Sequence, residues 1–219
     1  MTRRTATFLL TTMLTGCMLA RPDTPLRRAA AGGDLAAINA LLDGGADIDA
    51  PGAFGITPLA SAARAGRVDA IDLLLSRGAD PRRGSGVNRW TPLLHALHKN
   101  QMAAAKRLIA TCNAPSAELD LALYMASGYA QAEAVEALLA GGADPHKEVG
   151  DGANALSNAV AGAFDIDYSY RGCPDHTVVV RDLLERAPDL RLSGSAGAAA
   201  RRAAERRGCA EMLALLDRQ

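Results

Sequence analysis

The chain has 219 residues, of which 49% are hydrophobic and only 4% are aromatic. Ala and Leu therefore carry most of the apolar weight, which favours thin layers of closely packed helices over a core built on large aromatic side chains. Lys and Arg together number 24, and so do Asp and Glu. This balance lacks the basic excess typical of nucleic-acid binding and argues against a nucleic-acid partner.

The N-terminus has the features of an export signal. Arg3 and Arg4 form a short basic start, and the stretch that follows, residues 5–14, is apolar. Its 10 residues are too few to span a bilayer. We therefore interpret residues 1–16 as a signal peptide rather than as a transmembrane helix.

This segment runs into Leu14-Thr15-Gly16-Cys17, which resembles the lipobox of bacterial lipoproteins. The resemblance implies cleavage before Cys17 and acylation of its thiol, so that the protein contacts the membrane through the lipid anchor only. Met18 stands where the inner-membrane retention signal of that family has Asp. The resemblance therefore implies an outer-membrane lipoprotein that faces the periplasm. The alternative is an ordinary cleaved signal followed by a chance cysteine.

After a short linker at residues 17–23, two motifs recur in one frame with a period of about 33 residues. They are Thr24-Pro25-Leu26, Thr57-Pro58-Leu59 and Thr91-Pro92-Leu93, and Gly45-Ala46-Asp47, Gly78-Ala79-Asp80 and Gly142-Ala143-Asp144. Together they resemble the ankyrin repeat. The resemblance implies an all-α solenoid of about six stacked helix pairs with hairpin loops over residues 24–219. Its repeats would start near residues 24, 57, 91, 121, 154 and 199.

Each repeat has an alanine five residues after its start, where only a small side chain lets neighbouring inner helices approach closely. These residues are Ala29, Ala62, Ala96, Ala126, Ala159 and Ala204. The Thr-Pro pairs suit the start of an inner helix. The residues predicted to end inner helices in a left-handed conformation are Gly33, Gly66, Asn100 and Gly208.

The repeat frame is broken at two places. The loop near residues 113–116 is shortened, and an insert lies at about residues 163–176, between the two helices of the fifth repeat. The insert contains Phe164, Tyr168 and Tyr170. It is either an aromatic binding element on a rigid scaffold or a surface insertion that packs against the solenoid. Its aspartates do not match a calcium-binding loop, and we expect no metal site.

In the ankyrin family, partners contact the hairpin tips and the exposed positions of the inner helices. The resemblance therefore implies a partner-binding surface made of Phe54, Ile56, Asn88, Arg89 and Trp90 at the tips and Arg64, His98, Lys99 and Tyr129 on the inner helices. Trp and Arg are frequent binding hot spots, which favours Arg89 and Trp90. The alternative is that Trp90 packs across the neighbouring hairpin as a structural residue. His95 and His98 lack further metal ligands and are expected on a solvated helix face.

Besides Cys17 the chain has three cysteines, Cys112, Cys173 and Cys209. In an oxidising compartment this odd number leaves one thiol unpaired. In the repeat frame, Cys173 and Cys209 lie at the same inner-to-outer helix turn of successive repeats, whereas Cys112 lies at the opposite end. We therefore predict a disulfide between Cys173 and Cys209 that pins the insert.

The sequence has no Gly-rich phosphate loop and no Gly-x-Ser-x-Gly, His-Glu-x-x-His or Cys-x-x-Cys motif. We therefore expect a monomeric, non-catalytic scaffold without a cofactor, anchored in the bacterial envelope, whose partner is another protein. Two roles are open: an immunity protein or inhibitor of an envelope-acting enzyme, or an accessory scaffold that supports a periplasmic enzyme or a stress response.

Overall fold

The structure is a computed structural model that describes residues 23–111, 114–162 and 172–218. Within these ranges the chain forms twelve α-helices, and its one β-feature is an isolated bridge. The helices are α1 (Pro25–Gly32), α2 (Leu35–Asp43), α3 (Pro58–Arg64), α4 (Val68–Ser76), α5 (Pro92–His98), α6 (Met102–Thr111), α7 (Ser116–Gly128), α8 (Ala132–Ala140), α9 (Ala155–Ala161), α10 (Cys173–Arg186), α11 (Gly194–Arg207) and α12 (Ala210–Asp217). A 3₁₀ turn, Ala53–Gly55, lies between α2 and α3. The predicted all-α fold is confirmed.

The described helices are stacked in two layers. Each odd-numbered helix packs on the next odd-numbered one, and each even-numbered helix packs on the next even-numbered one. We call the odd-numbered helices inner and the even-numbered helices outer. The apolar core lies between the two layers and continues from Leu26 in α1 to Met212 in α12. Because each pair contacts mainly its neighbours, the core exists only in the stack.

The helices begin and end at the residues predicted to cap them. The Thr24 and Thr57 hydroxyls accept backbone N–H groups of the first turn at 3.2 Å, ahead of a proline that suits that turn. Positive φ angles between 54° and 77° confirm the predicted left-handed residues at Gly33, Gly66, Asn100 and Gly208. Ala130 occupies the same position in the fourth pair, with φ 52°, which the sequence analysis missed.

The equivalent alanines lie where the inner helices meet. Five of the six, Ala62, Ala96, Ala126, Ala159 and Ala204, are fully buried. Ala29 is only partly buried and packs against the edge of the core, because in the described residues α1 is the first inner helix of the stack. A larger side chain at the buried positions would push neighbouring inner helices apart.

The later repeats depart from the predicted boundaries. α7 begins at Ser116, after Pro115 at the N-cap position, so this helix starts five residues before the predicted repeat start near Leu121. α11 begins at Gly194, five residues before the predicted start near Ala199, after an extended Ser193. The last four residues of the predicted insert, 173–176, form the first turn of α10. The described structure therefore leaves a shorter connection between α9 and α10 than predicted.

Ion pairs connect every outer helix to the next one. They are Arg77–Asp43, Arg107–Asp72, Lys106–Glu133, Arg186–Glu136 and Arg181–Glu211, with N–O distances of 2.5 to 3.6 Å. Each pair is largely exposed and contributes at most about 1 kcal/mol. In these pairs, acidic side chains of the outer layer bind basic side chains of the same layer. None of the described helices is both long and apolar enough to cross a bilayer.

Candidate functional site

Two hairpins carry the predicted tip residues. In the first, the Gly52 N–H donates to the Ile56 carbonyl at 2.9 Å and the Gly55 N–H donates to the Gly52 carbonyl at 3.1 Å. The tightness of this turn places Phe54 in the left-handed region, at φ 56°, which is uncommon for a bulky residue. Its side chain is 79% exposed. The hairpin thus holds a large aromatic ring out in solvent.

The second hairpin runs from Ser85 to Trp90. The Ser85 N–H donates to the Trp90 carbonyl at 2.8 Å and closes an antiparallel bridge. The Gly86 N–H donates to the Gly55 carbonyl at 3.0 Å, which fastens this hairpin to the first one. Val87 at its tip is 91% exposed.

Trp90 lies at the base of the second hairpin and is half-buried. Its ring centroid is 5.0 Å from that of His98 and 5.7 Å from that of His95. The His98 Nδ1 atom is in turn 3.2 Å from the Tyr129 hydroxyl. Trp90 therefore packs on the His95 and His98 rings of α5 and still presents part of its ring to solvent.

His95 connects the second hairpin to α3. Its Nδ1 atom is 3.3 Å from the Arg64 guanidinium, and its Nε2 atom is 3.2 Å from both the Oγ and the carbonyl oxygen of Ser85. Because a guanidinium can only donate, Nδ1 must accept and Nε2 must carry the proton donated to Ser85. Burial, with a smaller effect from the charges of Arg64, His98 and Lys99, lowers the pKa of His95 to about 4, although the hydrogen bond to Ser85 acts in the opposite direction. The ring is neutral at pH 7.

These elements enclose a groove of about 550 Å³ between the hairpins and the inner helices, which lies in the size range of ligand pockets. Six of the residues predicted for partner binding line it: Phe54, Ile56, Arg64, Asn88, Trp90 and His98. Five lining residues were missed: Arg27, Ala53, Gly86, Val87 and His95. Their positions in the repeat could have identified three of them. Val87 neighbours the predicted tip residue Asn88, and Arg27 and His95 lie on inner helices.

A smaller compartment of about 190 Å³ adjoins the groove, with which it shares Arg27 and Arg64. Lys99 and Ser61 complete its polar lining. Arg27 bonds to the carboxylate of Asp23 and donates to the Ser61 hydroxyl at 3.0 Å. The hydrogen bond from Arg27 lowers the pKa of Asp23 to about 2, so this ion pair persists across the physiological pH range.

Several predicted surface residues are instead buried. Ile56, His98 and Tyr129 are only 9%, 8% and 6% exposed. The expectation that His95 and His98 lie on a solvated helix face is wrong, because the second hairpin and Trp90 cover both rings. Arg89 is exposed at the hairpin tip and lies outside the groove lining.

Other predicted site residues lie outside the groove or outside the described residues. Cys17, Phe164, Tyr168 and Tyr170 belong to the undescribed part of the chain. In the described ranges, no three His, Cys, Asp or Glu side chains are grouped so that they could hold a metal ion.

A disulfide joins Cys173 to Cys209, the pair predicted from the sequence, with the Cα atoms 5.4 Å apart. It links the first turn of α10 to the start of α12. Nearby, the His176 Nδ1 atom lies 2.9 Å from the Ala159 carbonyl oxygen of α9, so the chain is fixed just after the connection between α9 and α10.

A family model described as ankyrin repeats (3 copies) matches residues 4–85. Solved structures with the same fold include an ankyrin repeat domain from Acinetobacter baumannii AYE, with 25% identity, 88% of this chain and 95% of that chain covered, and a TM-score of 0.71. For the ankyrin repeat protein EF0377 the identity is 21%, the covered shares are 88% and 96%, and the TM-score is 0.71.

A third similar structure is a complex of the predatory endopeptidase Bd0816 from Bdellovibrio bacteriovorus with the immunity protein Bd3460. The identity is 22%, the match covers 89% of this chain and 99% of that chain, and the TM-score is 0.67. Among curated protein sequences, none matches this chain.

Proposed function

We propose that this chain binds an envelope-acting enzyme in the groove beside Trp90 and inhibits it. The chain has the ankyrin-repeat fold, which typically serves as a non-catalytic protein-binding scaffold. The observation that carries the proposal is the groove itself. It combines a half-buried tryptophan with exposed apolar side chains on two hairpins that are fastened to each other.

The exposed apolar side chains favour a protein partner. Phe54 and Val87 are 79% and 91% exposed and flank the groove that Trp90 lines. Apolar side chains grouped in this way are a common feature of interaction surfaces. The base beneath them is held by the contacts of His95 with Ser85 and Arg64. A pre-organised groove loses little conformational entropy when a partner docks.

Two observations outside the groove support an inhibitory role. One structure with the same fold contains an immunity protein in complex with an endopeptidase, so this fold can serve such a role. The lipobox resemblance at Cys17 would place the groove in the periplasm, where envelope-acting enzymes work. An immunity protein anchored there meets its target at the site of damage.

The test is an affinity capture from envelope extract with the purified protein as bait, compared with a Trp90→Ala bait. Arg202→Ala, which changes an exposed residue of α11 in the last helix pair, is the matched control. We expect the wild-type protein and the control to retain a partner that Trp90→Ala loses. Removal of a hot-spot tryptophan commonly weakens binding by about 2 kcal/mol or more, which is roughly thirtyfold.

Addition of the purified protein to the captured enzyme then separates the two roles. Loss of enzyme activity, together with survival of cells that express the scaffold and not of cells that express Trp90→Ala, supports the immunity role. Unchanged or increased enzyme activity would overturn that role in favour of the accessory scaffold. Equal capture by all three baits would show that the groove is not the binding surface.

A further inference from the structure

Phe54 occupies a backbone position that disfavours phenylalanine. The Ile56 N–H donates to the Ala53 carbonyl at 3.2 Å and closes a four-residue turn. The two central residues of this turn, Phe54 and Gly55, have φ angles of 56° and 72°, which is the pattern of a type I′ turn. Such turns favour Asn, Asp or Gly at their central positions, because a left-handed backbone strains a bulky residue. The chain therefore has a large ring where a small residue would fit more easily.

The Phe54 ring does not offset this strain by packing within the described part of the chain. It is 79% exposed, and it belongs neither to the apolar core nor to the partly buried residues that pack against that core. A residue that strains the backbone and adds nothing to the core lowers the stability of the fold. Strained residues of this kind are concentrated at functional sites. We therefore looked for a role of the ring outside the chain.

The turn that carries Phe54 is fixed on two sides. On one side it packs against the first repeat, where a Cβ atom added to Gly52 would lie only 2.8 Å from the Arg27 Cδ atom. On the other side the Gly55 carbonyl accepts the Gly86 N–H of the second hairpin at 3.0 Å. The ring is therefore presented from a rigid base. A rigid aromatic side chain loses little conformational entropy when a partner buries it.

We infer that Phe54 inserts into an apolar cavity of the partner protein when the partner docks on the groove beside Trp90. This inference rests on the proposed function of the groove and adds the shape and chemistry of the partner at one point. Phe54 lies between Ala53 and Gly55, so no bulk stands beside the ring, and a single protruding ring fits a concave site. A dry cavity of about 150 Å³ holds one benzene ring, and aromatic side chains that fill such pockets are frequent hot spots.

The first test is photo-cross-linking in the cells that make the protein, with p-azidophenylalanine in place of Phe54 in the full chain. The control carries the same photoreactive residue in place of Val149, which is 45% exposed on the hairpin between α8 and α9. We expect position 54 alone to attach to one protein, at residues that mass spectrometry places in an apolar cavity. Attachment to a flat or polar surface, equal attachment from both positions, or no attachment would overturn the inference. So would attachment to phospholipid, which would make Phe54 a membrane contact.

Variants of Phe54 then separate binding from folding. Phe54→Asn removes the ring but suits the type I′ turn, so its urea unfolding midpoint should equal or exceed that of the wild type. Its affinity for the cross-linked protein, measured by calorimetry, should fall about thirtyfold, the effect of no longer burying one large apolar side chain. Phe54→Leu keeps most of the apolar surface and should lose less than about tenfold. A lower midpoint for Phe54→Asn would show that the ring supports the fold and would overturn the inference.

Comparison with Trp90→Ala distinguishes failure of this inference from failure of the proposed function. If Phe54→Asn binds the partner like the wild type and Trp90→Ala does not, the groove remains the binding surface and only the insertion of Phe54 is wrong. If Phe54→Asn loses the partner and Trp90→Ala retains it, the insertion stands and the groove is not the binding surface. Normal binding by both variants would overturn both.

Discussion

Loss of the disulfide between Cys173 and Cys209 should destabilise the C-terminal repeats by up to about 4 kcal/mol. The two cysteines are 36 residues apart in sequence. The entropy of closing a loop of this length in the unfolded chain is about 13 cal/mol/K, or about 4 kcal/mol at 25 °C. The folded state should survive, because α10 also packs on α8 and α9, and α12 also packs on α11.

The assay is urea unfolding followed by circular dichroism, with and without reductant. The matched variant is Cys173→Ser/Cys209→Ser, which should unfold like the reduced wild-type protein and be insensitive to reductant. Because repeat stacks unfold in parts when neighbouring contacts weaken, Trp90 fluorescence reports separately on the third repeat. Its unfolding midpoint should move less than that of the whole-chain signal.

Equal unfolding midpoints for the oxidised wild type and the double variant would refute this reasoning. So would thiol titration of the unfolded, unreduced protein that finds both cysteines free. A reductant effect that persists in the double variant would assign the stabilisation to other cysteines.

Three further predictions concern other parts of the chain. Because unfolded His95 has a pKa near 6.5 and folded His95 one of about 4, the unfolded state binds the proton first. The contribution of neutral His95 to the free energy of unfolding is therefore fully present above pH 6.5, and roughly 3 kcal/mol of it is lost as the pH falls towards 4. His95→Gln should remove this part of the pH dependence in urea titrations. Ala96→Leu should destabilise the fold by about 1–3 kcal/mol, because Ala96 is fully buried between inner helices, whereas Leu at the exposed Ala103 should have little effect on the midpoint. Cys17→Ser should abolish incorporation of labelled fatty acid and release the protein from the membrane fraction, and fatty acid retained in this variant would contradict the lipobox assignment.

The regular repeats could be predicted because their signals are local. Thr24 and Thr57 cap helices within their own first turn, and glycines such as Gly33 and Gly66 end them by their own conformational freedom. The fourth repeat was harder, since its start at Ser116 depends on Pro115 rather than on the Thr-Pro motif. Where a repeat lacks the Thr-Pro motif, as in α7 and α11, its inner helix starts earlier than the repeat frame indicates.

The candidate site was only partly predictable because its geometry is not local. Phe54 could be assigned to a hairpin tip from the repeat frame alone, whereas Trp90, predicted at a tip, lies at the base of its hairpin. The burial of His95 and His98 arises from a hairpin that folds back onto α5, and the Arg64–His95 contact spans two repeats. Contacts between repeats decide these features, and the sequence does not display them.

The central claim is that the groove beside Trp90 binds the partner protein, and Trp90 is the sole tryptophan of the chain. The most direct measurement is acrylamide quenching of fluorescence from this chain in complex with a partner whose tryptophans have been replaced. The account predicts that the half-exposed ring becomes shielded, so that the quenching constant falls when the complex forms. A complex of full stoichiometry in which Trp90 is quenched as readily as in the free protein would contradict it.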